Sequence, residues 1–390
     1  MTRVAAIDCG TNTIRLLIAD ARVAPGGAVR LVPLVRLNEI VRLGQGVDRT
    51  GRLDEAALER TLAVVGDYAG RCRELGAQSV RFVATSATRD ASNRAVFVEG
   101  VRELLGVEPE VVSGQEEARL SFAGSLLGAD GGGAFPGADA GHAAGPAGPE
   151  AATAGPEAAA GPEAAAAGPE TGAVGPTGLG DAAGPETDIR PGAASGTRRL
   201  VTDLGGGSTE LVLGVDAPAA AYSMNTGSVR VTERYLADGV TPASEAAARD
   251  HVRALLDRAG AVVDLGSTRE LVGLAGTITT VTAHALGLES FEPEAIDGAR
   301  LDVGTALASC EAIVHSTAAE RESWGYLRPG RRDVIAAGAL VWSEVIARVA
   351  EATAAHGHRL THTVTSLHDI LDGIALSLVR PVGGPAGGPR

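Results

Sequence analysis

The apolar positions of this chain come in short blocks rather than long runs. Up to about residue 113 they predict strands over 4–9 and 13–20 and an extended stretch over 29–43. A helix over "DEAALERTLAVVGDYAGRCREL" and a strand over "VRFVATSA" follow, then a helix over "NRAVFVEGVRELLG", a short strand over "VEPEVV" and a helix from Ser113. The order βββαβαβα is that of a layered α/β domain. The pattern then lapses. Residues 128–197 carry five "GPE" triplets among alanines and glycines, with hardly a bulky apolar side chain. Such a segment cannot offset its ordering entropy by burial and reads as a disordered insert. Beyond it the opening recurs: "RLVTDLG" and "TELVLG" as a hairpin, a third strand region around 220–230 and a helix over "SEAAARDHVRALLDRAG". A strand and glycine turn, "ELVGLAGT", precede three or four helices reaching about residue 380. The expected organisation is a domain over 1–127, the insert over 128–197, a domain over 198–380 and a flexible tail over 381–390.

The two openings align without a gap. "AIDCGTNTIRLLI" over "VTDLGGGSTELVL" sets Asp8 on Asp203, Gly10 on Gly205, Thr13 on Ser208 and Leu16 on Leu211. An internal repeat of this kind predicts two domains of similar build, each presenting an Asp-x-Gly hairpin to a shared cleft.

The chemistry follows from the turns. One glycine with positive φ would satisfy a tight hairpin, but Gly205, Gly206 and Gly207 are three. Bare backbone amides can approach an anion and form a concave nest, with the Ser208 and Thr209 hydroxyls adding donors. Asp203 beside a bound phosphate would repel it unless a divalent cation stood between, so Mg²⁺ is expected. In "VVSGQEEARLSFAGSLLG", Ser113 and Glu116 match a capping box, which leaves Glu117 without a capping duty. In the first turn of a helix facing a cleft, Glu117 could orient and deprotonate a water. On the residues alone, an exposed, solvated Glu117 is the more economical reading. Arg89, just past a strand end, could fork a phosphate or simply pair with Asp90. Thr277, in the third strand-end glycine turn, is either a helix cap or a ligand contact. His356, His358, His362 and His368 crowd the C-terminal part without a metal-ligand spacing.

Composition narrows the class. With 45% hydrophobic and 21% charged residues the chain is an ordinary globular one, long enough for two domains. It has no ~20-residue apolar run to span a bilayer, its start lacks a signal-peptide pattern, and its three cysteines are scattered. A cytoplasmic protein is expected. The net charge of −14 argues against general nucleic-acid binding, although residues 128–197 account for −8 of it. Only 3% of residues are aromatic, too few for a base-stacking platform. Neither nucleic acid nor membrane is an expected partner. Every fixed side-chain cation is Arg, the better fork for phosphate oxygens.

Eight motifs, "AIDCGTNTIRLLIAD", "VRLGQGV", "ATSATRDASNRAVF", "VSGQEEARLSFAG", "DLGGGSTELVLG", "GSVRVTERYL", "GLAGT" and "RPGRRDVIAAGAL", occur in the order and near spacing of the exopolyphosphatase/guanosine pentaphosphate phosphohydrolase (Ppx/GppA) family. The chain resembles that family from its start to about 380. The resemblance implies the actin-like, sugar-kinase and heat-shock-ATPase architecture: two ribonuclease-H-like α/β domains flanking a cleft. It further implies release of terminal orthophosphate from inorganic polyphosphate or from guanosine pentaphosphate, with Mg²⁺ or another divalent cation as cofactor. By the same resemblance Glu117 is the catalytic base and Glu210 serves metal and attacking water. Asp8, Asp203 and Glu210 form the metal set. Gly10, Thr11, Asn12, Arg89, Gly205, Gly206, Gly207, Ser208 and Thr277 contact phosphate. The chain resembles the short family form, without an extra C-terminal helical domain, and departs from the family in the length of its 128–197 segment. A homodimer is a candidate assembly. A guanosine pentaphosphate phosphohydrolase, a kinase on the same fold and a non-catalytic polyphosphate or alarmone sensor are the rival readings.

Overall fold

The computed structural model describes residues 2–24, 29–129 and 196–379. Apart from two residues at each edge, the insert expected over 128–197 lies outside the described residues, as does the tail over 381–390. The first half runs β1 (Thr2–Cys9), β2 (Thr13–Val23), β3 (Val29–Ile40), α1 (Val47–Thr50), α2 (Glu55–Glu74), β4 (Ser79–Ala84), α3 (Ser86–Asp90), α4 (Arg94–Leu105), β5 (Glu110–Val111) and α5 (Gly114–Ala129). The second runs β6 (Arg199–Leu204), β7 (Thr209–Gly214), β8 (Pro218–Met224), α6 (Ser228–Tyr235), α7 (Pro242–Gly260), β9 (Glu270–Leu274), α8 (Ala275–Ala285) and α9 (Pro293–Ile296). It closes with β10 (Arg300–Asp302), α10 (Val303–Val314), α11 (Ala318–Ser323), α12 (Ile335–Ala355), β11 (His362–Thr365) and α13 (Ile370–Ser377).

Three local expectations are corrected. The strand expected over "VRFVATSA" stops at Ala84, and Arg89 rides on a short helix instead of a loop. The third strand of the second half ends at Met224, and Ser228 opens a helix. Strands β10 and β11, of three and four residues, are too short for alternation to betray them.

The strand orders are β3-β2-β1-β4-β5 and β10-β11-β9-β6-β7-β8. Reversed, the second reads β8-β7-β6-β9-β11 with β10 added at the edge, so the repeat extends through five strands. In both sheets an antiparallel hairpin (β1–β2, β6–β7) sits beside a parallel strand (β4, β9). β1 and β6 are central and covered on both faces, and each carries an aspartate, Asp8 or Asp203, as its last residue but one.

The last helix of each half packs on the sheet of the other. Ala118 and Phe122 of α5 join Val201, Val212, Val272 and Leu274 in one core cluster. Ile370, Leu371 and Ile374 of α13 join Val4, Ala6, Leu17 and Val83 in another. The two helices also cross each other at glycines: a Cβ on Gly373 would lie 1.9 Å from the Leu120 carbonyl oxygen. No described helix is long and apolar enough to cross a membrane.

Candidate active site

The two hairpin turns have one design. Gly10 donates to the Thr13 carbonyl at 2.9 Å, and Gly205 to the Ser208 carbonyl at 3.0 Å. The remaining turn carbonyls are taken from outside the hairpins. Gly44 donates to Thr11, while Val41 and Arg42 both donate to Asn12. In the second turn, the first amides of α6 take Gly205 and Gly206, and the Arg230 Nε takes Gly207 at 2.6 Å. In a trans peptide the carbonyl and the following N–H point opposite ways. The amides of Gly206, Gly207 and Ser208, and that of Asn12, are therefore turned away from these partners, and none has an acceptor among the described residues. That is the physical role of "VRLGQGV" and "GSVRV": they hold carbonyls so that amides face the other way. Gly207 is glycine because the turns meet there. A Cβ would lie 2.5 Å from both the Thr11 Oγ1 and the Ser86 Oγ.

Both turns line one cavity, of about 740 Å³ counting its open mouth. Most of the expected site converges on it: Asp8, Gly10, Thr11, Asn12, Glu117, Asp203, Gly205, Gly206, Ser208, Glu210 and Thr277. Gly207 and Arg89 do not line it. Gly207 packs between the turns, and Arg89 stands behind Glu117, donating from Nη1 to Oε2 at 3.2 Å and to the Val112 carbonyl at 3.0 Å. Its pairing with Asp90 is the weaker one, at 4.0 Å. Thr277 is in the first turn of α8 but caps nothing, since Leu274 is the N-cap. Ala275, at the same turn, has φ of 72°, a left-handed conformation uncommon outside glycine and frequent at working sites.

Glu117 is not the exposed side chain that its residues alone suggested. It is 7% exposed, because α5 lies against the second sheet and carries its first turn into the cleft. The capping reading holds on its backbone side, where the Glu116 amide donates to the Ser113 Oγ at 3.2 Å. Burial, and then the charges of Asp203 and Asp8, push Glu117 up to about 7, with Arg89 pulling the other way. Burial and Asp369 push Asp203 up to about 6, although the Ser121 hydroxyl donates to it at 2.6 Å. Glu210 is raised well above the carboxylate range by burial, Glu117 and Asp203, despite the Ser223 hydroxyl at 2.7 Å. Asp8 is raised by burial against the pull of Arg15.

The arrangement also holds residues that local patterns did not reveal. Strand register pairs Asp8 with Arg15 in the first hairpin and Asp203 with Glu210 in the second, so one repeat carries a cation where the other carries an acid. Arg15 binds Asp8 at 2.6 Å and pairs with Asp369, the N-cap of α13. Counting across the hairpin could have found Arg15; no local pattern pointed to Asp369. The Arg331 guanidinium lines the cavity without a hydrogen-bond or ion-pair partner among the described residues. Burial, Arg328 and Arg15 push it down to about 10. Three of the C-terminal histidines lie elsewhere: His358 on the Thr268 carbonyl, His356 near Asp264 and His362 on Thr361.

The donor set fits a hard divalent cation. It is all oxygen, it carries more acids than the nearby guanidiniums balance, and the buried Asp8 Oδ1 has no hydrogen-bond partner. Burial first, and then their mutual repulsion, raises the proton affinity of these carboxylates, and a bound cation would lower it.

Comparison with known proteins identifies the family. The family model described as the Ppx/GppA phosphatase family matches residues 21–131 and 190–356. The chain belongs to the Ppx/GppA phosphatase family. It is 38% identical to Exopolyphosphatase 2 of Mycobacterium tuberculosis over 386 residues, covering 97% of this chain and 99% of that one. A solved structure described as an exopolyphosphatase-like protein superposes with a TM-score of 0.75 at 37% identity, over 96% of this chain and 97% of that one. The Ppx/GppA enzyme of Aquifex aeolicus, at 22% identity, 96% and 99% coverage and a TM-score of 0.64, shares the fold. The Ppx/GppA chain thus has the paired ribonuclease-H-like α/β architecture that the resemblance implied, in two halves as alike as the repeat suggested.

Proposed function

We propose that the protein is an exopolyphosphatase, which splits the terminal phosphoanhydride bond of inorganic polyphosphate with water and releases orthophosphate. Glu117 carries this reading. It is a buried carboxylate on a helix's first turn, raised toward neutrality, facing the same cavity as two turns whose Asn12, Gly206 and Ser208 amides have no acceptor among the described residues. Similarity to Exopolyphosphatase 2 along nearly the whole chain supports it.

In this mechanism the terminal phosphoryl group lies between the Gly10–Asn12 and Gly205–Ser208 turns. Amides of Asn12, Gly206 and Ser208, the Thr277 hydroxyl and the Arg331 guanidinium donate to its oxygens. Glu117 holds a water in line with the scissile bond. As the new P–O bond forms, the water's proton passes to Glu117, and the bridging oxygen leaves with the shortened chain. Arg89 orients Glu117 from behind, and Ser223 and Ser121 fix Glu210 and Asp203. Asp8, Asp203 and Glu210 would hold Mg²⁺ or another divalent cation, which when bound neutralises charge on the phosphoryl oxygens. No aromatic side chain is among the described residues lining the cavity, which favours an inorganic chain over a nucleobase-bearing substrate.

The test is Mg²⁺-dependent phosphate release from short polyphosphate, long polyphosphate and guanosine pentaphosphate, alongside Glu117→Gln. The variant is expected to bind tripolyphosphate as the wild type does while turnover falls by on the order of 10²–10⁴. Near-wild-type turnover would remove Glu117 from its role. Release from guanosine pentaphosphate alone would move the substrate to the nucleotide.

A further inference from the structure

We infer that Arg230 is a positioning residue that makes the shape of the Gly205–Ser208 turn depend on closure of the two halves of the molecule. The inference rests on reading that turn as a phosphate cradle. Of the three carbonyls that α6 holds, those of Gly205 and Gly206 accept from backbone amides of the helix, which cannot move independently. Among the described residues the Gly207 carbonyl accepts from a side chain alone, the Arg230 Nε at 2.6 Å. The Gly207–Ser208 peptide is consequently the least constrained of the cradle, and its N–H is one of the outward amides.

The position of that side chain is set from across the cleft. The Arg230 Nη1 donates to the Asp48 Oδ1 at 2.5 Å, and Nη2 pairs with Asp90. Asp48 belongs to α1 and Asp90 ends α3, both in the first half. One buried, planar guanidinium thus joins three acceptors, two from the first half and one from the turn of the second. Around it, Arg234 also pairs with Asp48, and the Gly46 amide donates to Glu233 at 2.9 Å, so three charged residues of α6 clasp one segment.

Opening the cleft withdraws Asp48 and Asp90 together. The guanidinium regains water and its rotamer freedom, and the Gly207 carbonyl loses a fixed donor. The peptide between Gly207 and Ser208 is then free to turn, taking the Ser208 amide off the phosphate. The cradle is complete only in the closed form, and opening loosens its hold on orthophosphate.

The test uses Asp48→Asn/Asp90→Asn, which leaves every residue of the second half intact, and Arg230→Met and Arg230→Lys. The amide resonance of Ser208, on the peptide whose carbonyl Arg230 holds, reads the turn on the full chain. In the double variant it is expected to shift, while the amide resonances of β7 and β9 stay in place. In a Glu117→Gln background, tripolyphosphate binding should weaken by on the order of tenfold or more with the double variant, and equally with Arg230→Met or Arg230→Lys, because an ammonium cannot span three acceptors. An unmoved Ser208 resonance, a shift only together with β7 and β9, or unaltered tripolyphosphate affinity would each overturn the inference. If the Ser208 resonance shifts but tripolyphosphate binds none of these proteins, the coupling stands and the polyphosphate reading falls.

Discussion

In the mechanism proposed here, Glu117 and Arg89 form the pair on which the chemistry turns. A general base acts only when ionised, so the rate must fall on the acid side of its pKa. Arg89 lowers the Glu117 pKa, whereas burial, Asp203 and Asp8 raise it. Replacing Arg89 with Met removes the lowering influence and leaves the others. The acid limb of kcat/KM is therefore expected to move to higher pH in Arg89→Met, read from a full pH–rate profile. A limb that stays in place, or moves down, would contradict the assignment of Arg89 to Glu117. Phosphate affinity should change less than the profile, because Arg89 does not line the cavity.

Among the elements, the crossing of α5 and α13 matters most, since it delivers Glu117 from one side and Asp369 from the other. Backbone meets backbone there. A Cβ on Gly124 would lie 1.8 Å from the Asp369 carbonyl oxygen, and one on Gly373 would lie 1.9 Å from that of Leu120. Neither oxygen can move without shifting its helix. Gly373→Ala is expected to destabilise by ~1–3 kcal/mol, seen as a lower midpoint in urea. Gly70, within α2, has a negative φ, and a methyl group placed on it would meet nothing within 4 Å. There Gly70→Ala is expected to stabilise by ~0.5–1 kcal/mol, because helical backbone entropy is the only change. Opposite signs at two helical glycines make the pair a direct check on the crossing.

For the whole molecule, the acid cluster sets a pH dependence. Asp203 is pushed up to about 6 and Glu117 to about 7, with Asp8 and Glu210 also raised. Between the ordinary carboxylate range and these values the folded protein holds more protons than the unfolded chain, so stability falls as pH rises through that window. Asp372, held below the usual range by Arg36 and His368, contributes above its unfolded pKa and does not reverse the trend. The metal-free protein is expected to melt at a lower temperature at about pH 8 than at about pH 5, and Mg²⁺ to raise Tm more at the higher pH. A Tm that ignores Mg²⁺ at both would argue against a cation among these carboxylates.

Much of this was legible in short windows of sequence. The repeated Asp-x-Gly hairpins, the glycines of the turns and the spare Glu117 beside its capping neighbour are local facts, because strand alternation, turn chemistry and capping act over a few residues. Packing alone decided that Glu117 is buried, that α5 and α13 exchange sheets, and that Arg15 meets Asp369 across 354 positions of chain. It also decided that Arg89 backs a carboxylate instead of reaching the cavity. Burial and charge pairing depend on which distant surfaces close over a side chain, and no pattern of neighbours along the chain encodes that.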